Sequence, residues 1–139
     1  MQPDRRRVSS YWLAVADQDL AIARAHTHDA PNAACFHAQQ ATEKALKGLL
    51  VQLAGDVERT HVAAELIEEV IGAGAMPDND VRRAAIRLDR YYVTTRYPDA
   101  MGDADPTASF FAADAVSAIL DADTVILWVR SELTSHERS

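Results

Sequence analysis

The 139-residue chain has a single cysteine, Cys35, so it forms no internal disulfide and no thiolate metal cluster. Set among alanines, Cys35 reads as a small core residue. Glycine and proline number five each, and most of them fall where helices start or stop. Polar and apolar residues rarely alternate in the way strands require. No apolar run approaches the roughly 20 residues that span a bilayer. The basic start, Arg5-Arg6-Arg7, is not followed by the apolar segment of a signal peptide. These absences predict a cytoplasmic chain with no membrane association. A basic surplus is also missing. The net charge of −7 excludes gripping nucleic acid by bulk electrostatics and confines any such site to a local patch.

What is present is enough for one ordinary core. Hydrophobic residues make up 48% of the chain and charged residues 25%, too apolar for a disordered segment. A single domain over residues 1–139, with its core over about 8–133, is large enough to bury roughly two-thirds of its unfolded surface. The fold expected is all-α, a five-helix antiparallel bundle with short loops. Ser9 or Ser10 caps a first helix that runs to about His28, with Leu13, Ala16, Leu20 and Ala23 at three- and four-residue spacing. Pro31 opens a second helix, which ends near Gly55. Thr60 or His61 opens a third, which leaves through Gly72-Ala73-Gly74. Asp78 caps a fourth, whose apolar row is Val81, Ala84, Ala85, Leu88 and Tyr92; Pro98 then disfavours helix at Tyr97. Asp105-Pro106 starts a fifth, apolar almost all round from Phe110 to Val129 and therefore expected at the centre. Fraying is expected over residues 1–7 and about 134–139.

Two stretches carry chemistry. Arg82, Arg83, Arg87, Arg90 and Arg96 lie within fifteen residues whose only acid is Asp89, and three of the four tyrosines stand in the same region. The polar face reads either as a solvated helix or as a pocket for a phosphate or a base. Asp89, Tyr92 and Arg96 share one helical stripe. That arrangement pre-orients Arg96 toward a phosphate, or else uses it to complement the helix dipole. On the second helix, Phe36, His37, Gln40, Glu43, Lys44 and Lys47 project to one side and Ala34, Cys35, Ala38, Ala45, Leu46, Leu49 and Leu53 to the other. Glu43 and Lys47 have the spacing of a surface ion pair. Gln40 and Lys44 can face a ligand. His61 is either an acid–base group near neutral pH or a hydrogen-bonded bridge between helices. His26, His28 and His37 show no paired ligand spacing, and Asp99, Asp103 and Asp105 lack the closing glutamate of a calcium loop, so no metal site is expected.

Taken together, the segments Ala34-Cys35-Phe36-His37-Ala38-Gln39-Gln40-Ala41-Thr42-Glu43-Lys44-Ala45-Leu46-Lys47, Arg59-Thr60-His61, and Leu88-Asp89-Arg90-Tyr91-Tyr92 through Arg96-Tyr97-Pro98-Asp99 resemble the HEPN (higher eukaryotes and prokaryotes nucleotide-binding) domain. The resemblance runs from about Val8 to Leu133. It implies a small helical bundle, a homodimer, and a gene beside a minimal nucleotidyltransferase, the two forming a toxin–antitoxin pair. It further implies RNA or a nucleotide as ligand, with no cofactor. Many such proteins are metal-independent ribonucleases that carry an arginine and a histidine with four to six residues between them. The histidine moves the proton of the ribose 2′-hydroxyl and the arginine steadies the phosphate.

Here the fourth helix departs from that pattern: Arg87 finds Tyr92 at this spacing and Arg90 finds Tyr97. The literal match, Arg130 with His136, falls in the tail expected to fray. For a ribonuclease, the candidate residues are Arg96 as phosphate-binding cation and His61 or Tyr92 as proton carriers. Gln40, Lys44, Lys47, Asp89 and Tyr97 are then the nucleotide- or RNA-binding residues. The alternative is a non-catalytic module that uses the same surface to bind a nucleotide or a partner protein. Tyr92 and Tyr97 are also candidates for nucleotide attachment by a partner enzyme.

Overall fold

A computed structural model describes residues 4–57, 60–94, 102 and 105–138. Its helices are α1 (Arg5–Ala25), α2 (Pro31–Ala54), α3 (Ala63–Gly72), α4 (Asn79–Leu88), α5 (Tyr91–Thr94), α6 (Pro106–Ser109) and α7 (Ala112–Arg138). The five long helices are those expected, while α5 and α6 are single turns. No strand occurs among the described residues, and no helix is long and apolar enough to cross a membrane.

The differences lie at helix ends. α1 starts four residues before Ser9, because the Asp4 carboxylate accepts the N–H groups of Arg6 and Arg7 at 3.0 and 3.5 Å. A carboxylate there satisfies orphan donors and the positive end of the helix dipole together. Ser9, expected as a cap, is instead buried within the helix, and Ser10 Oγ donates to the Arg7 carbonyl. α1 stops at Ala25, short of His28, as the chain turns through residues 26–29. Gly55, at φ 81°, closes α2 in the left-handed geometry that glycine adopts without strain. α4 ends at Leu88, with the Asp89 N–H bonded to the Ile86 carbonyl, so Tyr92 stands on α5 and not on α4. Asp105 caps α6, but Phe110 is extended (φ −113°, ψ 139°), which separates α6 from α7. α7 continues through the expected fraying point to Arg138, where Glu137 reaches Arg6 at 3.8 Å.

α2 is the central element, with α1, α7 and α3 packed around it. Ala34, Ala38, Ala41 and Ala45 on α2 have no solvent exposure. The same is true of Ala16 and Ala23 on α1 and of Ala115, Ala118 and Ala122 on α7. Side chains this small let helix backbones approach closely, and Leu46, Leu49, Leu66, Ile67, Leu88, Val125 and Val129 fill the space between. Each such large residue contributes about 1.5–3 kcal/mol by leaving water. Burial pushes the Cys35 thiol up to about 12, which fits a core residue. Tyr91 anchors α5 to this core: it is buried, meets Phe110 edge-on at 6.0 Å, and receives the Arg90 guanidinium over its ring and at its hydroxyl. α7 itself is not enclosed, contrary to its apolar pattern. One side faces the core, while Val116, Leu120 and Leu127 are exposed.

α1 and α2 approach each other closely at Gly48. A Cβ there would lie 2.6 Å from Leu13 Cδ2, 3.0 Å from Trp12 Cβ and 3.2 Å from the Ser9 carbonyl oxygen. Helix propensity favours alanine over glycine by about 1 kcal/mol, but overpacking costs about 1–3 kcal/mol, and two of these contacts yield only if α1 moves. Gly48→Ala is therefore expected to lose about 1 kcal/mol net, read as a lower urea midpoint at unchanged slope. A raised midpoint would show that α1 shifts without cost.

Candidate functional site

The polar side of α2 is covered by α1 and by the segment entering α3. Glu43 is its centre, only 2% exposed. Its Oε1 accepts from Lys47 Nζ at 2.8 Å and lies 2.7 Å from His61 Nδ1, and its Oε2 accepts from Gln40 Nε2 at 2.8 Å. Gln40 Nε2 also donates to Gln39 Oε1, and Gln39 Nε2 donates to the His61 carbonyl at 3.1 Å. The Lys47 ammonium, itself buried, stands 5.7 Å from the centre of the Trp12 ring. The Glu43–Lys47 pair expected on the surface is thus a buried one. That changes its energetics, because two charges removed from water persist only when each meets several partners.

A second carboxylate repeats the arrangement. Asp19 of α1 is buried; it accepts from Lys44 Nζ at 2.6 Å and lies 2.9 Å from His37 Nδ1. Between the two units runs a row of rings. His61 stacks on Tyr92 at 5.3 Å and 10°, Tyr92 lies 6.4 Å from Phe36, and Phe36 meets His37 edge-on at 5.4 Å. His61 is held in place by the entrance to α3. Thr60 Oγ1 accepts the Val62 N–H and donates to Glu65, while the Asp89 carboxylate accepts the N–H groups of Ala63 and Ala64 at 2.7 and 2.9 Å. Burial raises the Asp89 pKa above its ordinary 3.8, against the lowering effect of those two bonds and one from Gln39.

Of the sequence candidates, His61, Tyr92, Gln40, Lys44 and Lys47 meet on this one face, and Asp89 joins them through Gln39. Arg96 and Tyr97 lie outside the described residues, as do Arg59 and Asp99. Both lysines are bonded to buried carboxylates. Asp89 caps α3, a role that the twenty-six residues separating it from Ala63 conceal. The partners missed at the sequence level are Asp19, Gln39 and His37, and Glu43 in its buried role. The polar projection of α2 holds the signal for His37 and Glu43 but not for Gln39 or Asp19, and the same projection describes a solvated face equally well. Arg130, the arginine of the literal Arg130–His136 match, pairs with Asp17. No group of three metal-ligating side chains occurs among the described residues. Clefts of about 420 and 440 Å³ lie elsewhere, one between α1 and α7 and one where the start of α1 meets the end of α2.

Chemically, the face offers an oriented imidazole. His61 is 57% exposed in its side chain, and Nδ1 is fixed on Glu43, which leaves Nε2 turned away from the anchor. A neutral ring in this tautomer can accept a proton at Nε2. Tyr92 and Phe36 add aromatic surface on which a base can stack.

The family profile described as "HEPN domain" matches residues 9–132. Among solved structures, TT1696 from Thermus thermophilus is 33% identical with a TM-score of 0.81, over 88% of this chain and 96% of that one. ST0689, an archaeal HEPN homologue, is 31% identical with a TM-score of 0.73, over 90% of this chain and 97% of that one. No curated protein matches.

Two substitutions test the electrostatics. Glu43→Ala leaves the Lys47 ammonium buried without its carboxylate, and a loss of about 3–5 kcal/mol in unfolding free energy is expected; a loss below about 1 kcal/mol would mean that Lys47 escapes to solvent. For Asp89, a raised folded pKa means that the folded chain holds the proton more tightly than the unfolded one. Its contribution to stability is fully present below 3.8 and is lost as pH rises through the raised value. Asp89→Asn should remove that slope and, with one cap bond gone, cost about 1 kcal/mol at pH 7. Urea unfolding from acidic to neutral pH reads both effects, and an unchanged slope would assign the titration to another group.

Proposed function

The chain belongs to the HEPN domain family, and from that premise we propose that it binds RNA on the face built around Glu43 and cleaves it without a metal. Its setting is a toxin–antitoxin pair with a minimal nucleotidyltransferase, as the sequence resemblance implies. The observation that carries the catalytic part is the anchoring of His61: Nδ1 on a buried carboxylate, the ring stacked on Tyr92, and more than half of the side chain exposed.

With Nδ1–H donated to Glu43, Nε2 accepts the proton of the ribose 2′-hydroxyl. The 2′-oxygen attacks phosphorus, the bond from phosphorus to the 5′-oxygen breaks, and a proton from water or from the imidazolium completes the leaving hydroxyl. The products are a 2′,3′-cyclic phosphate and a 5′-hydroxyl. Glu43 orients the ring and stabilises its charged form as the proton arrives, as the carboxylate does in a catalytic triad. Arg96 is the residue proposed to neutralise the phosphate, because Lys44 and Lys47 already face Asp19 and Glu43. Tyr92, with Phe36, stacks a base.

One observation favours a second reading. Arg87 and Arg90 are followed by tyrosines where the ribonucleases of the family carry a histidine, and both lysines of the face are paired. A non-catalytic module that binds a nucleotide or a partner protein needs neither group.

Purified wild type, His61→Ala and Arg96→Ala, incubated with a mixed RNA pool in EDTA, decide between the two. Cleavage by wild type that falls at least about 100-fold in each variant supports the ribonuclease, that factor being the low end for loss of a proton carrier. RNA left intact by wild type, with nucleotide binding that a Tyr92→Ala variant loses, supports the module instead.

A further inference from the structure

The cleft of about 440 Å³ where the start of α1 meets the end of α2 is walled by Val8 and Trp12 of α1, Val51 and Ala54 of α2, and Val57 beyond it. Aliphatic side chains and an indole make it apolar, and a cation stands at its edge. The Arg5 guanidinium fills the space that a side chain at residue 55 would need: a Cβ built on Gly55 would lie 2.6 Å from Nη2, 2.9 Å from Cζ and 2.9 Å from Nε. Gly55 is therefore needed twice, for its φ of 81° and for the seat it leaves the guanidinium. What draws Arg5 there is the negative end of the α2 dipole, which amounts to roughly half an elementary charge and so answers about half of the cation. The five N–H donors of the guanidinium remain unused, since Arg5 makes no hydrogen bond or ion pair among the described residues.

We propose that this cleft binds a small organic carboxylate with a flat apolar body, the carboxylate on Arg5 and the body against Trp12 and the valines. A guanidinium fork matches the two oxygens of a carboxylate, and an indole face takes a flat ring. The volume lies within the roughly 300–1,000 Å³ of small-molecule sites. Other charges nearby are already committed. Asp56 turns its carboxylate to the Val57 N–H at 2.8 Å, and Asp4 caps α1. Lys47 also meets the Trp12 ring, at 5.7 Å, but its ammonium is held by Glu43. In the cleft between α1 and α7 both arginines are taken, Arg6 by Glu137 and Arg130 by Asp17. One cation beside Asp56 suits a monoanion; a polyanion would set several charges against that acid and the apolar walls.

Arg5 and Gly55 take no part in the Glu43 cluster, so this proposal and the proposed function fail independently. The probe is 1-naphthoate, with uncharged 1-naphthamide as its control, titrated into the full chain carrying Trp128→Phe, which leaves Trp12 as the one indole. Naphthoate should quench Trp12 fluorescence saturably with a dissociation constant below about 1 mM. Naphthamide should bind at least about tenfold more weakly, the low end for a hydrogen bond to a charged group. Arg5→Gln should weaken naphthoate by the same factor and leave naphthamide unchanged. Arg7→Gln, an exposed arginine outside the cleft, should change neither. Helical circular dichroism should be unaltered in both variants, because both side chains are exposed. Quenching that never saturates, equal binding of acid and amide, an Arg5→Gln protein that binds naphthoate as wild type does, or an equal loss in Arg7→Gln would each overturn the proposal.

Discussion

A carboxylate with almost no access to water organises this molecule. Glu43 lies in the middle of the central helix, and its charge is tolerated only because Lys47, Gln40 and His61 supply three partners. Two of them are on α2 and come with the helix. The third is not, so the chain between α2 and α3 has to cross the polar side of α2 and deliver His61. That path holds only if α3 begins immediately afterwards, and α3 can begin there because Asp89 satisfies its first backbone donors. Asp89 in turn is available because α4 stops at Leu88. One buried charge thus connects the ends of α2, α3, α4 and α5, and this linkage brings Tyr92 over His61.

The long helices are legible in the sequence because their periodicity is local, and so are the Asp78 and Asp105 caps, the proline start of α2 and the glycine at its end. The departures have one cause: the winning partner is distant in sequence, or the competing local signals are of similar strength. Asp4 prevails over Ser9 and Ser10 because Ser9 points into the packing of α1 against α2, where a cap residue cannot stand. Tyr92 fits the apolar row of α4 by spacing, yet the backbone breaks at Asp89 and Arg90 so that Asp89 can reach α3. Glu43 and Lys47 at i, i+4 look the same on a surface and in a core. Only the cover provided by α1 and His61 distinguishes the two cases, and that is a tertiary fact. The HEPN fold is readable through three ordered motifs. The role of Asp19 is not, since nothing near it in sequence marks it as the partner of His37 and Lys44.

The alanine content of the bundle also has two consequences that pull apart. Small residues on the facing sides of α1, α2 and α7 bring the backbones close and leave little room for change, as at Gly48. The same economy of volume makes α7 nearly apolar all round, which suggests a helix enclosed by others. Its position contradicts that pattern. α1 and α4 flank it through the Arg24–Asp123 and Arg87–Asp121 bridges and leave the outer row of leucines uncovered. A hydrophobic pattern records how much apolar surface a helix carries, and it does not say whether the cover comes from the same chain.

The paired carboxylates limit what the polar face can do with an anion. Asp19 and Glu43 each hold one lysine and one imidazole, so within each unit the ammonium charge is met before any ligand arrives. A phosphate approaching Lys44 or Lys47 has to compete with a carboxylate already in hydrogen-bond contact, where exchange of one anion for another brings little net electrostatic gain. The face by itself is therefore better suited to hold aromatic rings and to position a proton carrier than to bind phosphate strongly. Strong phosphate binding calls for a cation outside these units. Arg96, four residues after Tyr92 in the sequence, is the cation proposed for that part, so the test between a ribonuclease and a binding module rests on its guanidinium more than on either lysine.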